Sequence, residues 1–512
     1  MRFPSNAKLV PLLLAGYLAV AGSVRASGET FYVDATRGRD ANDGLSEATA
    51  WQTLQRACLQ TLKPGDRLLF HAGDSFAGAL ELKGAGTEAQ PVVIGSFGQG
   101  AKPKLIGGGA PYAVHVMDMS FVEVSGLDIS NAAPKPDIRN GILVEASPGN
   151  IVRHVYLRDL DVHDVSGVLG TDATEKNTGG IAFNADGKDK PSHFEDVRVE
   201  HCVVSHVDAT GIWLSSDAHP NPRSPNWTRD RFLNVVVTGN RLEDIGKNAV
   251  IVRYSLAPLI DGNIVRGSAM RLHGNSLMVS YSEGAVLSHN DVSGVQYGGM
   301  EGAAFDSDYD DIGTIIEYNY AHDDGGGLVD ICMPKNESGF NDGTVVRYNI
   351  LDGATARVIS FDDPATNAMI YNNSIFLSHS DKPHILRLRS FERSAAQKTG
   401  VVIANNIFYN EGDSDNEYAD GKMYAIVANC FYGKKVRGEP SDPKKISADP
   451  EFTQVPPDPN HPERSFALRP GSPCAQSGVP IPSNGGRDFA GNPLPPGNPD
   501  RGAIQTNPPP AN

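Results

Sequence analysis

The stretch from Gly302 to Cys332 carries seven aspartates, whose types and spacing suit chemistry. Asp306 and Asp308 stand two apart in an apolar, strand-like run, so in a strand both point to one face, with Cα atoms roughly 6.6 Å apart. Asp330 follows a similar apolar run, and if the chain coils back it stacks beside Asp306 at about 4.8 Å. Such a cluster needs a shared proton, a cation or solvent to offset its repulsion. It therefore predicts acid–base catalysis, a cation site or a solvated acidic surface.

A loose repeat from about Ile142 onward would position these carboxyls. Each repeat has a short apolar strand and a second strand that ends in asparagine, with 23 to 33 residues between successive asparagines. A variable period with a constant strand pattern is typical of a parallel β-helix whose coils carry insertions of different length. We expect these asparagines to form an amide ladder at the turns: Asn240, Asn263, Asn290, Asn319, Asn349, Asn373 and Asn406.

Nine of the first-half strands can be aligned so that one column is apolar and the next is polar. The apolar column, predicted to face the core, is Val144, Phe183, Leu214, Val252, Val279, Phe305, Val329, Ile359 and Leu386. The polar column, predicted to face outward, is Glu145, Asn184, Ser215, Arg253, Ser280, Asp306, Asp330, Ser360 and Arg387. Trp213 and Met278 share the outer face, where the indole is expected to offer a flat platform for a sugar ring.

Composition and charge narrow the function classes. The chain has 512 residues, 40% of them hydrophobic and 21% charged, which favours a folded protein. A net charge of −16 argues against a nucleic-acid partner. Arg2 and Lys8, an apolar run and small residues before Ala26 predict a signal peptide over residues 1–26 and export to the periplasm or medium. No later apolar run reaches the ~18 residues of a membrane helix, so we expect no membrane partner. A monomer is also expected.

The predicted fold class is all-β, a single right-handed parallel β-helix. After the leader we expect a strand and a capping helix over 27–66, with the helix running from Trp51 to Leu62. The β-helix is predicted over 67–410, and a Pro- and Gly-rich closing segment over 411–512.

The opening YVDATRGRDANDGLSEATAWQTLQRA, the Asn-ended repeats and the closing motifs ADPEF, FALRPGSPCAQSG, RDFAGNP and DRGA carry a resemblance. Together they resemble the secreted bacterial β-helix proteins of the pectin-lyase-like superfamily. That superfamily contains polysaccharide lyases, glycoside hydrolases, epimerases and non-enzymatic proteins. The resemblance implies a polysaccharide or oligosaccharide partner and leaves the reaction open.

The first interpretation is a glycoside hydrolase. The resemblance to polygalacturonase-type enzymes implies a catalytic trio of Asp306, Asp308 and Asp330, with Asp323 and Asp324 as the alternative. The His-Gly and Arg-Ile-Lys motifs of those enzymes are absent from matching places. The spacing of Asp306 and Asp308 suits an inverting enzyme, whose carboxyls lie about 6.5–9.5 Å apart. The stacking of Asp306 and Asp330 suits a retaining enzyme, at about 5–5.5 Å.

The second interpretation is a polysaccharide lyase acting on a uronic-acid polymer. Asp306, Asp308 and Asp310 would hold calcium, the one cofactor considered. Arg253 or Lys247 would then be the base. Arg271-Leu272-His273-Gly274 resembles the Arg-His-Gly context of β-helix lyases but has an extra residue.

A non-catalytic polysaccharide-binding protein is the third interpretation, and a structural calcium site would also explain the aspartates. The insertions His219–Arg231 and Pro334–Asp342 are expected to wall the binding groove. The predicted substrate-binding residues are Trp213, Arg253, Arg271, His322, Asp323, Asp324, Asp362 and Arg387.

Overall fold

The computed structural model describes residues 28–169, 178–187, 190–332, 339–361, 365–388, 400–418 and 424–506. These residues form a right-handed parallel β-helix, which confirms the predicted fold class. Each coil of the chain passes through three parallel sheets in turn, and each strand pairs with the equivalent strand of the next coil. The predicted leader lies outside the described residues, and export stays a prediction.

The three sheets are numbered in the order in which a coil visits them. Sheet 1 contains Thr30–Val33, Arg67–His71, Val92–Phe97, Val122–Ser125, Ile151–Arg158, His193–Glu200, Phe232–Thr238, Ser255–Leu256, Leu259–Asp261, Val286–Ser288, Ile315–Glu317, Val345–Arg347, Met369–Tyr371, Val401–Ala404 and Tyr424–Val427. Sheet 2 contains Ser75–Ala77, Lys104–Ile106, Asp128–Asn131, Asp161–Val165, Val203–Val207, Arg241–Ile245, Ile264–Ser268, Asp291–Val295, Tyr320–Asp324, Ile350–Ala354, Ser374–Leu377, Ile407–Asn410 and Cys430–Gly433. Sheet 3 contains Leu80–Leu82, Tyr112–Met117, Asn140–Ala146, Gly179–Ala185, Thr210–Ser216, Val250–Arg253, Leu277–Ser280, Phe305–Ser307, Val329–Ile331, Arg357–Phe361, His384–Leu388 and Asp415–Tyr418. A small fourth sheet pairs Asp311–Ile312 with Asn341–Asp342.

The described helices are short: a 3₁₀ turn at Glu47–Thr49 and single α turns at Leu54–Ala57, Trp227–Asp230 and Pro462–Ser465. None of them is long enough to cross a bilayer. The predicted capping helix is therefore shorter than expected. Trp51 forms a parallel bridge with Val33 and extends the first strand's pairing, which keeps the chain extended up to the Thr53 N-cap.

The buried core runs the length of the coils because strand side chains alternate between two faces. On sheet 3 the inward residues are apolar in almost every coil, as in Phe183, Leu214 and Val252. A chain of this kind buries its apolar face only by stacking coils. The core therefore fixes which side chains face outward along the solenoid.

The predicted asparagine ladder is present at the corner between sheets 1 and 2. Asn319, for example, donates from Nδ2 to the Leu287 carbonyl (2.9 Å) and to Oδ1 of Asn349 (2.9 Å). Its own Oδ1 accepts from the backbone N–H of Asn290 (2.9 Å). The same bonds recur from Asn240 to Asn406, and Asn429 continues the ladder.

The predicted nine-strand register is correct except at one step. Val144 to Val279 align as predicted, and so do Phe305 to Leu386. Between the two groups the pairing is shifted by two residues: Phe305 lies beside Leu277, and Ser307 takes the place beside Val279. Because the side-chain period is two, this shift keeps the same face inward and the apolar pattern alone cannot detect it.

The β-helix also extends beyond its predicted limits of 67–410. Parallel pairing begins with Thr30–Val33 and continues to Cys430–Gly433. Beyond it, Phe452, Phe466 and Leu468 pack with residues of the last coils in a second apolar cluster. The closing segment thus covers the end of the solenoid.

Candidate active site

The predicted acidic cluster lies on the outer face of sheet 3. Asp306 and Asp330 are direct partners in the strand pairing, as expected. Neighbouring segments cover both, because Asp306 is 3% exposed and Asp330 is fully buried. The sequence predicted that these two carboxyls would be exposed to solvent, whereas the structure buries both of them side by side.

Asn275 fixes the strand that carries Asp306. Its Oδ1 accepts from the backbone N–H groups of Gly302 (2.9 Å) and Ala303 (2.8 Å), and its Nδ2 donates to Oδ2 of Asp306 (2.7 Å). Oδ1 of Asp306 is buried and has no hydrogen-bond partner among the described residues. These bonds hold the strand in its shifted register and leave one enclosed oxygen of Asp306 without a protein partner among the described residues.

Asp330 is paired with a buried arginine. Nη2 of Arg357 lies 3.1 Å from Oδ2 of Asp330 and also donates to the Met300 carbonyl. Nη1 of Arg357 donates to Oγ of Ser360 (3.3 Å). The guanidinium thus neutralises Asp330 and fastens the loop before Glu301 to the site.

Asp308 is the most accessible of the three predicted catalytic carboxyls. Its N–H donates to the Val279 carbonyl, so it lies next to Ser280 and close to Arg253. Ligand atoms of Asp306, Asp308 and Cys332 lie within 4.8 Å of one another. The Asp306 and Asp308 carboxyls are thus closer than their strand spacing suggested.

Burial and mutual repulsion change the protonation of this pair. Burial, reinforced by the charges of Asp308 and Asp330, raises the pKa of Asp306 well above its usual range. Burial raises the pKa of Asp308 to about 7, against the opposing charge of Arg253. As the pH rises through about 7, Asp308 therefore loses its proton first, while Asp306 retains its own.

Two irregular segments border the cluster. On the sheet 2 side, the exposed loop at 296–300 leads into Glu301, whose charge acts on both Asp306 and Asp308. On the sheet 1 side, the insertion at 219–231 crosses several coils: Arg223 lies 3.9 Å from the Phe340 ring, and Trp227 donates to Glu283 (3.0 Å). The described parts of the two predicted insertions thus meet at this edge, and the predicted binding groove would lie between them and the loop.

Trp213 does not present the open platform expected of it. The indole is 4% exposed and packs with Ala182, Ile251 and Met278 on the outer face of sheet 3. Trp213 and Arg253 both line a small pocket on this face. The indole is therefore part of the packed surface next to the acidic cluster.

His322, Asp323 and Asp324 lie on sheet 2 rather than beside Asp306. Burial lowers the pKa of His322, but hydrogen bonds to Asp291 and Asp323 outweigh it and raise that pKa. Asp324 is buried and accepts from the Val295 N–H (2.9 Å), and burial raises its pKa well above the usual range. These residues form a separate polar group.

The remaining predicted contacts divide between the groove and its surroundings. Arg387 lies two strands beyond Asp330 on the same face, and its Nη1 donates to Oγ of Ser360 (3.0 Å). Arg271 instead forms ion pairs with Asp208 (3.3 Å) and Asp244 (2.9 Å) at the sheet 2 corner. Lys247 is buried at the same corner, and Asp362 lies outside the described residues.

Asp310, predicted as a metal ligand, is directed elsewhere. Its carboxylate accepts from the backbone N–H of Phe340 (3.1 Å). The sulfur of Cys332 is the third ligand atom near Asp306 and Asp308, so a cation held here would have a mixed oxygen and sulfur environment rather than the all-oxygen one that calcium prefers.

The sequence reasoning did not identify Asn275, Arg357 or Tyr309. The position after Arg253 and Ser280 is tyrosine in both coils, Tyr254 and Tyr281, and Tyr309 follows Asp308 in the same way. That repeat could have identified Tyr309 once the correct register was known. Asn275 and Arg357 lie in turns or at strand starts whose contacts have no periodic signal.

Comparisons with known proteins are consistent with this architecture. No family model matches the chain. A curated lacto-N-biosidase from Bifidobacterium longum subsp. longum is 24% identical over 91% of this chain and 34% of its own length. The chain therefore spans about a third of the length of that relative.

Among solved structures, two crystal structures of the GH136 lacto-N-biosidase from Eubacterium ramulus are similar to this chain. The selenomethionine derivative has a TM-score of 0.64 and 22% identity, over 78% of this chain and 67% of that one. The native protein has a TM-score of 0.60 and 22% identity, over 78% and 68%. At this identity the likeness supports the shared β-helix fold.

Proposed function

We propose that this chain is a carbohydrate-active enzyme that hydrolyses a glycosidic bond with Asp306 and Asp308. The observation that carries the proposal is their pairing: both carboxyls lie on one outer face, with oxygen atoms within 4.8 Å, and burial raises the pKa of both. The similarity to proteins named lacto-N-biosidase supports a glycoside as the substrate class.

In this proposal Asp306 is the proton donor and Asp308 the nucleophile. Asp306 transfers its proton to the glycosidic oxygen, while the Asp308 carboxylate bonds to the anomeric carbon and the alcohol leaves. Asp306 then removes a proton from water, the water oxygen bonds to the anomeric carbon, and Asp308 is released. Carboxylate oxygens within 4.8 Å of each other leave little room for the water that single inversion places between carboxyls about 6.5–9.5 Å apart, which supports double displacement.

Asp330 takes a positioning role in this scheme instead of a catalytic one. Its carboxylate is held in an ion pair with Arg357, so it is engaged with the protein rather than with the substrate. Its charge raises the pKa of Asp306 and keeps the acid protonated.

The test is turnover of a chromogenic lacto-N-bioside and of a polysaccharide panel by the purified protein. Asp306→Asn and Asp308→Asn should each lower kcat/KM by roughly 10²- to 10⁴-fold, because each removes a proton-transfer or nucleophilic group. The anomeric configuration of the first product, read by NMR, should be retained.

Asp323→Asn is the matched control, since this carboxylate is exposed on sheet 2. Full activity in the Asp306 and Asp308 variants together with loss in the Asp323 variant would move the active site to sheet 2. A product with a new ultraviolet-absorbing double bond would replace hydrolysis with β-elimination.

A further inference from the structure

An aromatic column borders the acidic pair on its sheet 1 side. Tyr254, Tyr281 and Tyr309 follow Arg253, Ser280 and Asp308 in the corrected register of three successive coils. The rings of Tyr254 and Tyr281 are stacked, with centroids 5.2 Å apart and planes at 29°. The N–H of Tyr281 donates to the Tyr309 carbonyl (2.6 Å), which ties the third tyrosine to the column.

Exposure increases along the column toward the acids. Tyr254 is buried, and its hydroxyl lies 2.7 Å from Nδ1 of His219 in the insertion at 219–231. Tyr281 is half-buried, whereas Tyr309 is 39% exposed. Burial raises the pKa of Tyr309, and the charge of Asp308 raises it further, so the hydroxyl stays protonated beside the acidic pair.

The backbone of this column is strained. Tyr254 and Tyr281 have φ values of 55° and 52°, in the left-handed region that bulky residues rarely occupy. Left-handed residues recur on many other coils, as at His154, Asn234 and Tyr318, so this conformation belongs to the turn geometry of the solenoid. Here the contacts with His219 and between the rings hold the column rigid behind its one exposed ring.

We infer that Tyr309 is the sugar-stacking platform of the site and that it takes an uncharged pyranose next to the bond that is cleaved. An aromatic ring offers a flat apolar face to the C–H face of a sugar, and Tyr309 is the residue after Asp308. A uronic acid on this ring would bring its carboxylate close to Asp308 and Glu301, where like charges repel. The inference rests on the proposed function, because it places the ring at the substrate subsite of the same carboxyl pair.

The test separates binding from turnover. In the Asp306→Asn background, which keeps the Asp308 carboxylate, titration calorimetry with lacto-N-biose, cellobiose and digalacturonate should show binding of at least one neutral disaccharide and weaker or no binding of the uronate. Tyr309→Ala should weaken the neutral ligand by about three- to tenfold, the range expected for loss of a stacked ring, whereas Tyr309→Phe should stay within about twofold.

Tyr112→Ala is the control, because its half-buried ring lies on the same sheet in the first coils. The inference would be overturned if Tyr309→Ala left binding unchanged or if Tyr112→Ala weakened it equally. It would also be overturned if digalacturonate bound more tightly, or if neither neutral disaccharide bound at millimolar concentration. Binding that depends on Tyr309 in a wild-type protein without hydrolytic activity would uphold the platform and overturn the proposed catalysis.

Discussion

At the residue scale, the chemistry of the groove depends on how two neighbouring aspartates differ in surroundings. Asp306 is held by Asn275 and enclosed, whereas Asp308 faces Arg253 at the groove surface. Pairs of titratable groups whose environments separate their pKa values are typical of acid–base sites. Here the enclosed member retains its proton and the accessible member loses it near neutrality.

This difference predicts a pH profile for activity. Since Asp308 must be ionised to act as nucleophile, kcat/KM should rise as the pH increases through about 7, the pKa to which burial raises this carboxyl. It should fall again at the higher pH where Asp306 loses its proton. A rate that is flat between about pH 5 and about pH 8 would contradict the assignment of Asp308.

The same shift predicts how stability depends on pH. The folded protein keeps a proton on Asp308 up to about pH 7, whereas the unfolded chain releases it near pH 4. The group therefore destabilises the fold progressively as the pH rises between those values. Asp308→Asn should raise Tm at about pH 8 and have little effect at about pH 4, as measured by thermal unfolding. Asp137→Asn, at an exposed position where the carboxylate accepts from the neighbouring Ile138 N–H, should show no such dependence.

At the element scale, the coils are held at one corner by amide groups and along the sheets by backbone pairing. Each ladder asparagine satisfies the backbone of the coil before it as well as its own neighbours, as Asn319 does for Asn290 and Leu287. Buried polar groups left without partners are costly, so every member of such a ladder depends on the next.

Asn319→Ala should therefore destabilise the protein by about 2–4 kcal/mol, since it leaves the buried N–H of Asn290 and the carbonyl of Leu287 unpaired. Urea unfolding measures the change. Asn150→Ala is the matched control, because Asn150 is exposed and bonds only locally to Ser147. Similar losses of unfolding free energy in both variants would show that a ladder asparagine stabilises the fold no more than an exposed one.

At the scale of the whole molecule, a solenoid transmits little between distant coils because each coil contacts only its neighbours. The acidic pair lies in the middle of the stack, and the closing segment covers the last coil through Phe452 and Phe466. Damage at that end should therefore remain local.

Phe452→Ala should open the C-terminal coils without affecting the groove. The ring is buried and lies 5.1 Å from the Phe466 ring, and its loss costs roughly 3–5 kcal/mol of local stability. Hydrogen exchange should increase around residues 401–433 and stay unchanged around 277–331. Phe305→Ala, in the core beneath Asp306, should show the reverse pattern and lose activity. Uniform exchange throughout either variant would indicate global cooperative unfolding instead.

The sequence alone determined the fold class, the inward and outward faces of the coils, the asparagine ladder and the adjacency of Asp306 and Asp330. These features follow from strand alternation and from a repeat, both of which are local and periodic. The tertiary structure decided the two-residue shift between Leu277–Ser280 and Phe305–Ser307, because a shift of one full side-chain period leaves the apolar pattern intact.

Tertiary structure also decided which side chains are accessible near the acidic cluster. Trp213 is covered, Arg271 is drawn to Asp208 and Asp244, and Tyr309 is left exposed. The ion pair between Arg357 and Asp330 joins two neighbouring coils that an insertion separates in the sequence. Exposure and long-range ion pairs depend on how irregular loops fold over the regular coils, and loops of differing length carry no period from which their paths could be predicted.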